Sequence, residues 1–325
     1  MQVKDRVLEA LEANRGTYFS GEALAQKLAV SRSAVWKAIQ QLRESGYPIE
    51  AASKRGYCLA KDSAILSAQS IAQYLTIPQL RLEVEQVVTS TNTLLRQRAE
   101  AGEPEGLALV AAAQTAGRGR RDHTFFSPPD TGLYLSFLVR PQLSAKDALL
   151  LTTCAAAAVA LAIEDCAGVP AEIKWVNDVF CRGKKVCGIL TEAALDLESG
   201  MLDYAVLGLG FNVAAPADGW PEDLRDVAGA LYDGSPAPGA RAALAAAFLN
   251  AFWPLYRAGP RSGYLDEYRR RQALTGQRVL VTPRRGTPRA AQVQGIDDEC
   301  KLVVRFDGES RPAALNSGEV SVRLL

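Results

Sequence analysis

From Ala148 to Ile163 the chain runs for sixteen residues without a charge, with Thr and Cys inside the run and Glu164-Asp165 directly after it. That is short of the ~20 residues that span a bilayer, so the run predicts a buried, Ala-rich helix rather than a membrane crossing. At 325 residues, with 48% apolar, the chain has material for two or three domains with ordinary cores and lies far from the disordered class. The N-terminus opens with mixed charges and shows no signal peptide, so the expectation is a soluble, cytoplasmic protein with no membrane partner. Six cysteines (58, 154, 166, 181, 187 and 300) show no metal spacing and only one histidine accompanies them, which argues against a zinc site and for free thiols.

Net charge is +1, so the chain as a whole is no nucleic-acid sponge. Its first 62 residues differ: ten Lys or Arg stand against seven Asp or Glu, about +3, a mild basic bias that can touch phosphates. Val3, Val7, Leu8 and Leu11 recur at helical spacing up to Gly16. Ser20 can cap a short helix over 21–28, and Ser31 a third over 32–45 that Gly46 ends. In that third helix Val35, Ala38, Ile39 and Leu42 form the core stripe, while Arg32, Ser33, Trp36, Lys37 and Gln40 face outward. A two-stranded wing follows, with Lys54 and Arg55 at its tip. This is the helix-turn-helix pattern, and those seven outward residues are the candidate DNA contacts. Trp36 stands where a polar residue is expected; contact with a thymine methyl or sugar edge and packing on the next domain both fit.

The densest local signal is Gly117-Arg118-Gly119-Arg120-Arg121, followed by Phe126-Ser127-Pro128. Two glycines let a backbone bend close to a ligand, and three arginines set charged forks around the bend, which suits a phosphoryl or acyl-phosphate group. Gln114-Thr115 precede it. A strand over 133–138 and then Lys174-Trp175-Val176-Asn177-Asp178 follow it. The periodicity predicts strands over 81–88, 172–180 and 186–195, the last two joined by Cys181-Arg182-Gly183-Lys184-Lys185. Either lysine fits a plain exposed turn residue. Gly208-Leu209-Gly210-Phe211-Asn212 is weak as a bare G-x-G and lacks the third glycine of a dinucleotide fingerprint. From Thr275 onward, short strands over 278–281, 291–296, 302–306 and 320–324 predict a small all-β barrel.

Taken in order, these segments resemble the biotin protein ligase family, and the first sixty residues resemble the winged-helix domain of its biotin-operon repressor members. The likeness covers nearly the whole chain and is weakest between about 232 and 270. It implies an α+β multidomain protein. Residues 1–62 would form the winged helix-turn-helix, 63–272 a mixed α/β ligase domain of class II synthetase-like fold, and 273–325 an SH3-like β-barrel, for which Gly295-Ile296-Asp297 and the segment 317–323 speak. It implies a biotin site of Ser90, Thr91, Asn92, Gln114, Gly117, Arg118, Gly119, Arg120, Lys185 and Gly188. Arg120, Arg121, Phe125, Lys174, Asn177 and Asn212 would bind nucleotide, and Asp178 would help hold Mg²⁺. The frame before Gly188-Ile189-Leu190 makes Lys185 the essential lysine and Lys184 the surface one. Lys185, Arg118 and Arg120 would carry the chemistry.

The implied reaction joins biotin's carboxylate to ATP, giving biotinyl-5′-adenylate and pyrophosphate, and then passes biotin to a lysine of a biotin carboxyl carrier protein. Biotin would also be the precursor of the co-repressor, with the adenylate-bound homodimer binding operator DNA. The resemblance leaves room for a single-function ligase, a non-catalytic biotin sensor, and a lipoate ligase or octanoyl transferase. Three positions depart from the family: Val176 replaces its usual Pro, Phe125 its Trp, and Ala230 its Ser, all preserving shape or apolarity. Cys300 stands where a turn glycine is frequent.

Overall fold

A computed structural model describes residues 2–259, 263–283, 286–316 and 320–325, with Asp122 described by its backbone alone. It divides into two compact units, Met1–Thr76 with Pro236–Ala246, and Ile77–Ser235 with Ala247–Leu325.

The first unit begins with α1 (Val3–Glu12), α2 (Gly21–Leu28) and α3 (Arg32–Glu44). Ser20 and Ser31 cap the second and third by accepting from the backbone N–H of Ala23 and Ala34. Val7, Leu11, Leu24, Val35, Ile39 and Leu59 are each fully buried, so the spacing of apolar residues closes one common core. β1 (Ile49–Ala52) and β2 (Gly56–Leu59) form the antiparallel wing, tied to the helices by a bridge between Phe19 and Tyr57. A short α4 (Ala68–Ala72) follows; Arg15 Nη1 donates to Ser63 O at 2.8 Å, so the segment leading into it is fastened to the end of α1.

The second unit is built on a seven-stranded mixed sheet. Its elements in chain order are β3 (Arg81–Val88), α5 (Thr91–Glu100), β4 (Leu107–Gln114), β5 (Gly132–Val139), α6 (Ala148–Ala167), β6 (Glu172–Lys174), β7 (Asp178–Cys181), β8 (Lys184–Leu195) and β9 (Leu202–Asn212). The order across the sheet is β3-β4-β5-β9-β8-β7-β6, with β3 and β4 parallel and every other pair antiparallel. Side chains alternate faces along a strand. Leu138 and Val206 therefore meet Leu95 of α5 on one face. Phe137 and Thr191 point to the other, where Phe137 packs edge-on against Phe252 of α7 (Ala240–Arg257) and Thr191 hydrogen-bonds Thr152 of α6. The uncharged run 148–163 lies in this α6; the residues 155–160 are wholly buried, so protein covers the middle of its apolar surface.

One expected strand is a hairpin. The stretch 172–180 does not run straight through: β6 and β7 pair with each other, Lys174 opposite Asp178, and Trp175-Val176-Asn177 make the turn. The Trp175-Val176 peptide bond is cis. Trp175 and Val176 are both buried within the turn, and the turn holds no Gly or Pro to announce the reversal. Trp175 Nε1 donates to Cys300 O at 2.9 Å, and Tyr268 of α8 (Tyr264–Arg270) donates from its hydroxyl to Val176 O at 3.2 Å.

The C-terminal strands are β10 (Arg278–Pro283), β11 (Arg289–Ile296), β12 (Leu302–Phe306), β13 (Ala313–Leu315) and β14 (Val320–Leu324). They form one antiparallel sheet in the order β13-β12-β11-β10-β14. Residues 317–319, part of the expected barrel signature, lie outside the described residues.

Trp175→Phe keeps the ring but removes the donor to Cys300 O. An orphaned buried acceptor costs ~1–3 kcal/mol. A urea midpoint lowered correspondingly, with unchanged m value, is the expected outcome.

Candidate active site

Strand alternation places the site. Gly208, Gly210 and Asn212 are alternate residues of β9 and share one face, the face that carries α5. Gly210 pairs with Gly188 of β8, and Gly208 with Leu190 and with Ser136 of β5. Together the glycines clear a floor. A Cβ built on Gly210 would lie 2.3 Å from Phe125 Cε1, and one on Gly208 2.1 Å from Asn92 Oδ1. The motif that is weak as a pattern thus has a definite physical use, close approach of a ring and an amide to the sheet.

On that floor sits a hydrogen-bonded wall. Ser90 caps α5, accepting from Thr93 N at 3.4 Å. Gln114 Oε1 accepts from Thr91 N at 2.9 Å and from Thr91 Oγ1 at 3.2 Å, while its Nε2 donates to Ser127 Oγ at 3.0 Å. Asn92 Oδ1 accepts from Ser136 Oγ at 2.6 Å, and Asn92 Nδ2 donates to Leu190 O and Glu192 Oε2 at 3.3 and 3.0 Å. Thr91, Asn92 and Gln114 were expected to meet a ligand; they also hold one another, so the wall is set before any ligand arrives. Ser127, Ser136 and Glu192 belong to this network; Ser127 lies in the Phe126-Ser127-Pro128 signal, whereas nothing in the local sequence marks Ser136 or Glu192 as part of the site.

The arginine loop crosses above. Gly117 O accepts from Phe125 N at 3.0 Å and Gly119 N donates to His123 O at 2.7 Å, which fold the loop into a narrow bend. Arg118 Nη1 reaches Glu192 Oε1 at 2.8 Å and Oε2 at 2.9 Å. Arg120 Nη1 donates to Asn177 Oδ1 at 2.8 Å, and Arg121 Nη2 to Val320 O at 2.6 Å on β14. Burial, and then the neighbouring charge of Arg121, push the Arg120 pKa below its ordinary value. A guanidinium stays charged regardless, so Arg120 is a desolvated cation that an incoming anion would stabilise.

Lys185 Nζ pairs with Asp178 Oδ1 at 2.7 Å, and Asn177 Nδ2 donates to the same oxygen at 3.2 Å. Asn212 Nδ2 donates to Lys185 O at 3.2 Å. Lys184 corrects an expectation. It is not a bare surface residue: Nζ donates to Asp226 O at 2.6 Å and Arg225 O at 3.4 Å, and its stem covers Gly229. Lys174 Nζ lies 5.8 Å from the Phe180 ring centre.

Two cavities result. A narrow one lies beneath the loop and is lined by Ser90, Thr91, Asn92, Gln114, Arg118 and Gly188 among others; every residue expected to touch biotin lines it except Gly117. A wider one of ≈ 480 Å³ is lined by Arg121, Lys174, Asp178, Asn212 and Trp220, with β14 forming part of its wall. Gly119, Arg120, Phe125, Asn177 and Lys185 line both. Among the described residues no three His, Cys, Asp or Glu side chains cluster as a metal site.

The candidate DNA face lies on the first unit. Arg32, Ser33, Trp36 and Lys37 are exposed on α3, Trp36 at 54%, and Gln40 is half-buried. Lys54 and Arg55 are exposed at the wing tip, where the Arg55 guanidinium stacks 3.9 Å from the centre of the Tyr18 ring.

Comparison with known proteins gives a concordant picture. Residues 84–212 match the Biotin/lipoate A/B protein ligase family and residues 4–58 an HTH domain. The bifunctional ligase/repressor BirA of Bacillus spizizenii is 35% identical over 253 residues, 77% of each chain. The protein of the same name from Escherichia coli is 35% identical over 208 residues, 64% of this chain and 63% of that one. Among solved structures, the biotin protein ligase from Aquifex aeolicus in complex with biotin and ATP superposes with a TM-score of 0.62 at 25% identity, covering 75% of this chain and 99% of that one.

The glycine floor can be tested without any ligand. Gly208→Ala drives a methyl into Asn92 and should destabilise the fold by ~1–3 kcal/mol, as overpacking does. Gly234→Ala, where nothing lies within 4 Å, should stay within about 0.5 kcal/mol of the parent. Equal urea midpoints for the two variants would contradict the close approach.

Proposed function

The chain belongs to the bifunctional biotin ligase/repressor family, and from that premise we propose how its residues divide the work. Biotin occupies the narrow cavity and ATP the wider one. The observation that carries this is their shared wall: Arg120, Asn177 and Lys185 line both, so a carboxylate in one and an α-phosphate in the other would meet there. The carboxylate oxygen attacks the α-phosphorus and pyrophosphate leaves, giving the mixed anhydride biotinyl-5′-adenylate. The ε-amine of a lysine on a biotin carboxyl carrier protein then attacks the acyl carbon, and AMP leaves.

No covalent enzyme intermediate is needed. Phosphoryl chemistry of this kind rests on positioning and charge neutralisation. Asp178 aims Lys185 Nζ at the shared wall, and Arg120 brings a cation already stripped of water. Biotin's ureido group, one acceptor and two donors, suits the mixed hydroxyls and amides of the wall. Mg²⁺ fits the residues present, because it commonly takes one or two carboxylates and completes its shell with phosphate and water. Asp178, with Asn177 beside it, would hold it, and it would neutralise phosphate charge.

The remaining assignments follow the same division. Residues 1–62 bind DNA, 63–272 carry the chemistry, and 273–325 form an SH3-like barrel whose β14 borders the nucleotide. The adenylate-bound chain forms a homodimer, and a two-fold dimer reads an operator of two half-sites. Arg32, Ser33, Lys37 and Gln40 read the major groove, with Trp36 supplying an apolar contact, and the wing grips phosphate.

Adenylate formation measured with biotin and lipoate in parallel tests the ligase reading; activity with lipoate alone would overturn it. Lys185→Ala should slow adenylate formation by ~10²–10³, the usual loss for one preorganised donor. Lys184→Ala should act differently, raising the KM for ATP with little change in kcat, because Lys184 holds the 225–229 segment beside the nucleotide cavity. Equal loss of kcat in both would reverse the assignment.

For DNA, replacing Lys54 and Arg55 together by Ala should weaken binding alike across sequences and reduce the logarithmic salt slope by about two. An unchanged slope removes the wing from the interface.

A further inference from the structure

Among the described residues, Glu192 is the acidic side chain in contact with both the wall and the loop of the narrow cavity, and neither the motifs nor the assigned roles include it. It lies on β8 two residues beyond Leu190, on the sheet face that carries α5. One of its oxygens accepts from Asn92 Nδ2 at 3.0 Å, and both accept from Arg118 Nη1 at 2.8 and 2.9 Å. Arg96 Nη1 of α5 approaches to 3.9 Å. The carboxylate is mostly covered, its side chain 18% exposed, whereas Arg118 remains 40% exposed. The glutamate is thus the more covered partner of the pair.

Beneath this contact lies the narrow cavity, ≈ 50 Å³. The Arg118–Glu192 pair fastens the loop to the wall on this side through side chains, and the backbone N–H of Ala116 donates to Thr89 O at 2.8 Å at the loop's start. On the other side Arg120 is bound to Asn177 and Arg121 to Val320.

We propose that Glu192 is a positioning residue: it clasps the arginine loop to the Asn92 wall, and so sets how long a bound biotinyl group and its adenylate stay enclosed. It touches Asn92 and Arg118 rather than the reacting atoms, so it governs residence and not the chemical step. This rests on the ligase reading above. Charge-assisted pairs at a partly covered site hold a loop measurably, and a clasp that closes after entry acts on dissociation.

The test uses the full-length chain and its Glu192→Ala, Glu192→Gln and Glu192→Asp variants, with biotin and MgATP as the probes. Single-turnover adenylate formation at saturating biotin and ATP should change less than adenylate dissociation does in all three, since Glu192 touches no reacting atom. Dissociation of preformed adenylate, followed by chasing with unlabelled biotin and ATP, should accelerate about 10-fold or more in Glu192→Ala. That factor corresponds to ~1.4 kcal/mol. Glu192→Gln keeps an acceptor for Asn92 but loses the charge facing Arg118, so it should fall between. Glu192→Asp should recover part of the residence time.

Arg118→Ala combined with Glu192→Ala should release adenylate no faster than Arg118→Ala alone, because the two act through one contact. A merely structural role would lower the melting temperature and leave dissociation unchanged, and that result overturns the inference. So does additivity in the double variant. If Glu192→Ala does not fold, the isosteric Glu192→Gln with the Arg118 cycle decides alone. Failure of the parent chain to form any adenylate from biotin would instead strike the ligase reading itself.

Discussion

The antiparallel pairing of β8 with β9 is the constraint on which the rest of the site depends. It sets Gly188 opposite Gly210 and Leu190 opposite Gly208, and so keeps side chains off one patch of an otherwise filled sheet. A one-residue slip would turn these glycines to the α6 face and push bulky residues into the cavity. Phe125 and Asn92 can lie against the sheet only because that register holds. The opposite face supports the register, where the buried stretch 155–160 of α6 and the aromatic side of α7 pack against the sheet.

Charge is distributed with similar economy. Six groups at and beside the junction of the cavities are ionic or strongly polar, yet each is paired: Lys185 with Asp178, Asp178 with Asn177, Asn177 with Arg120, Arg118 with Glu192. Paired groups in a partly covered cleft keep their orientation at small desolvation cost. Burial and the neighbouring Arg121 disfavour the Arg120 charge, and the carboxylate of Asp178 offsets part of that.

Much of this was legible in the chain. The Ser-capped helices, the wing and the buried Ala-rich helix follow from local rules of capping and periodicity, and the structure reproduces the two Ser-capped helices within a residue, while α1 stops at Glu12, short of Gly16. The resemblance carried by the arginine loop and the Lys-Trp-Val-Asn-Asp segment brought together residues that do line the two cavities. What failed did so for physical reasons. The stretch 172–180 reads as one strand because its turn holds no Gly or Pro and two of its residues, Trp175 and Val176, are buried apolar side chains. Lys184 looks like a solvated turn lysine because its partners are backbone carbonyls forty residues and more away, which no side-chain pattern records.

By itself, then, the sequence determined the elements whose causes are local: which stretches are helical, where they start, which residue types could meet phosphate or an amide-rich ligand. Only the tertiary structure decided the relations between distant segments. Glu192 is 74 residues from Arg118 and 100 from Asn92, and it joins them only after β8 has been laid into the sheet beside β9. The Gly-x-Gly-x-Asn segment is ambiguous alone because period two says which residues share a face but not what faces them. That is settled by pairing, and pairing is set by packing over the whole sheet rather than by any five residues in it.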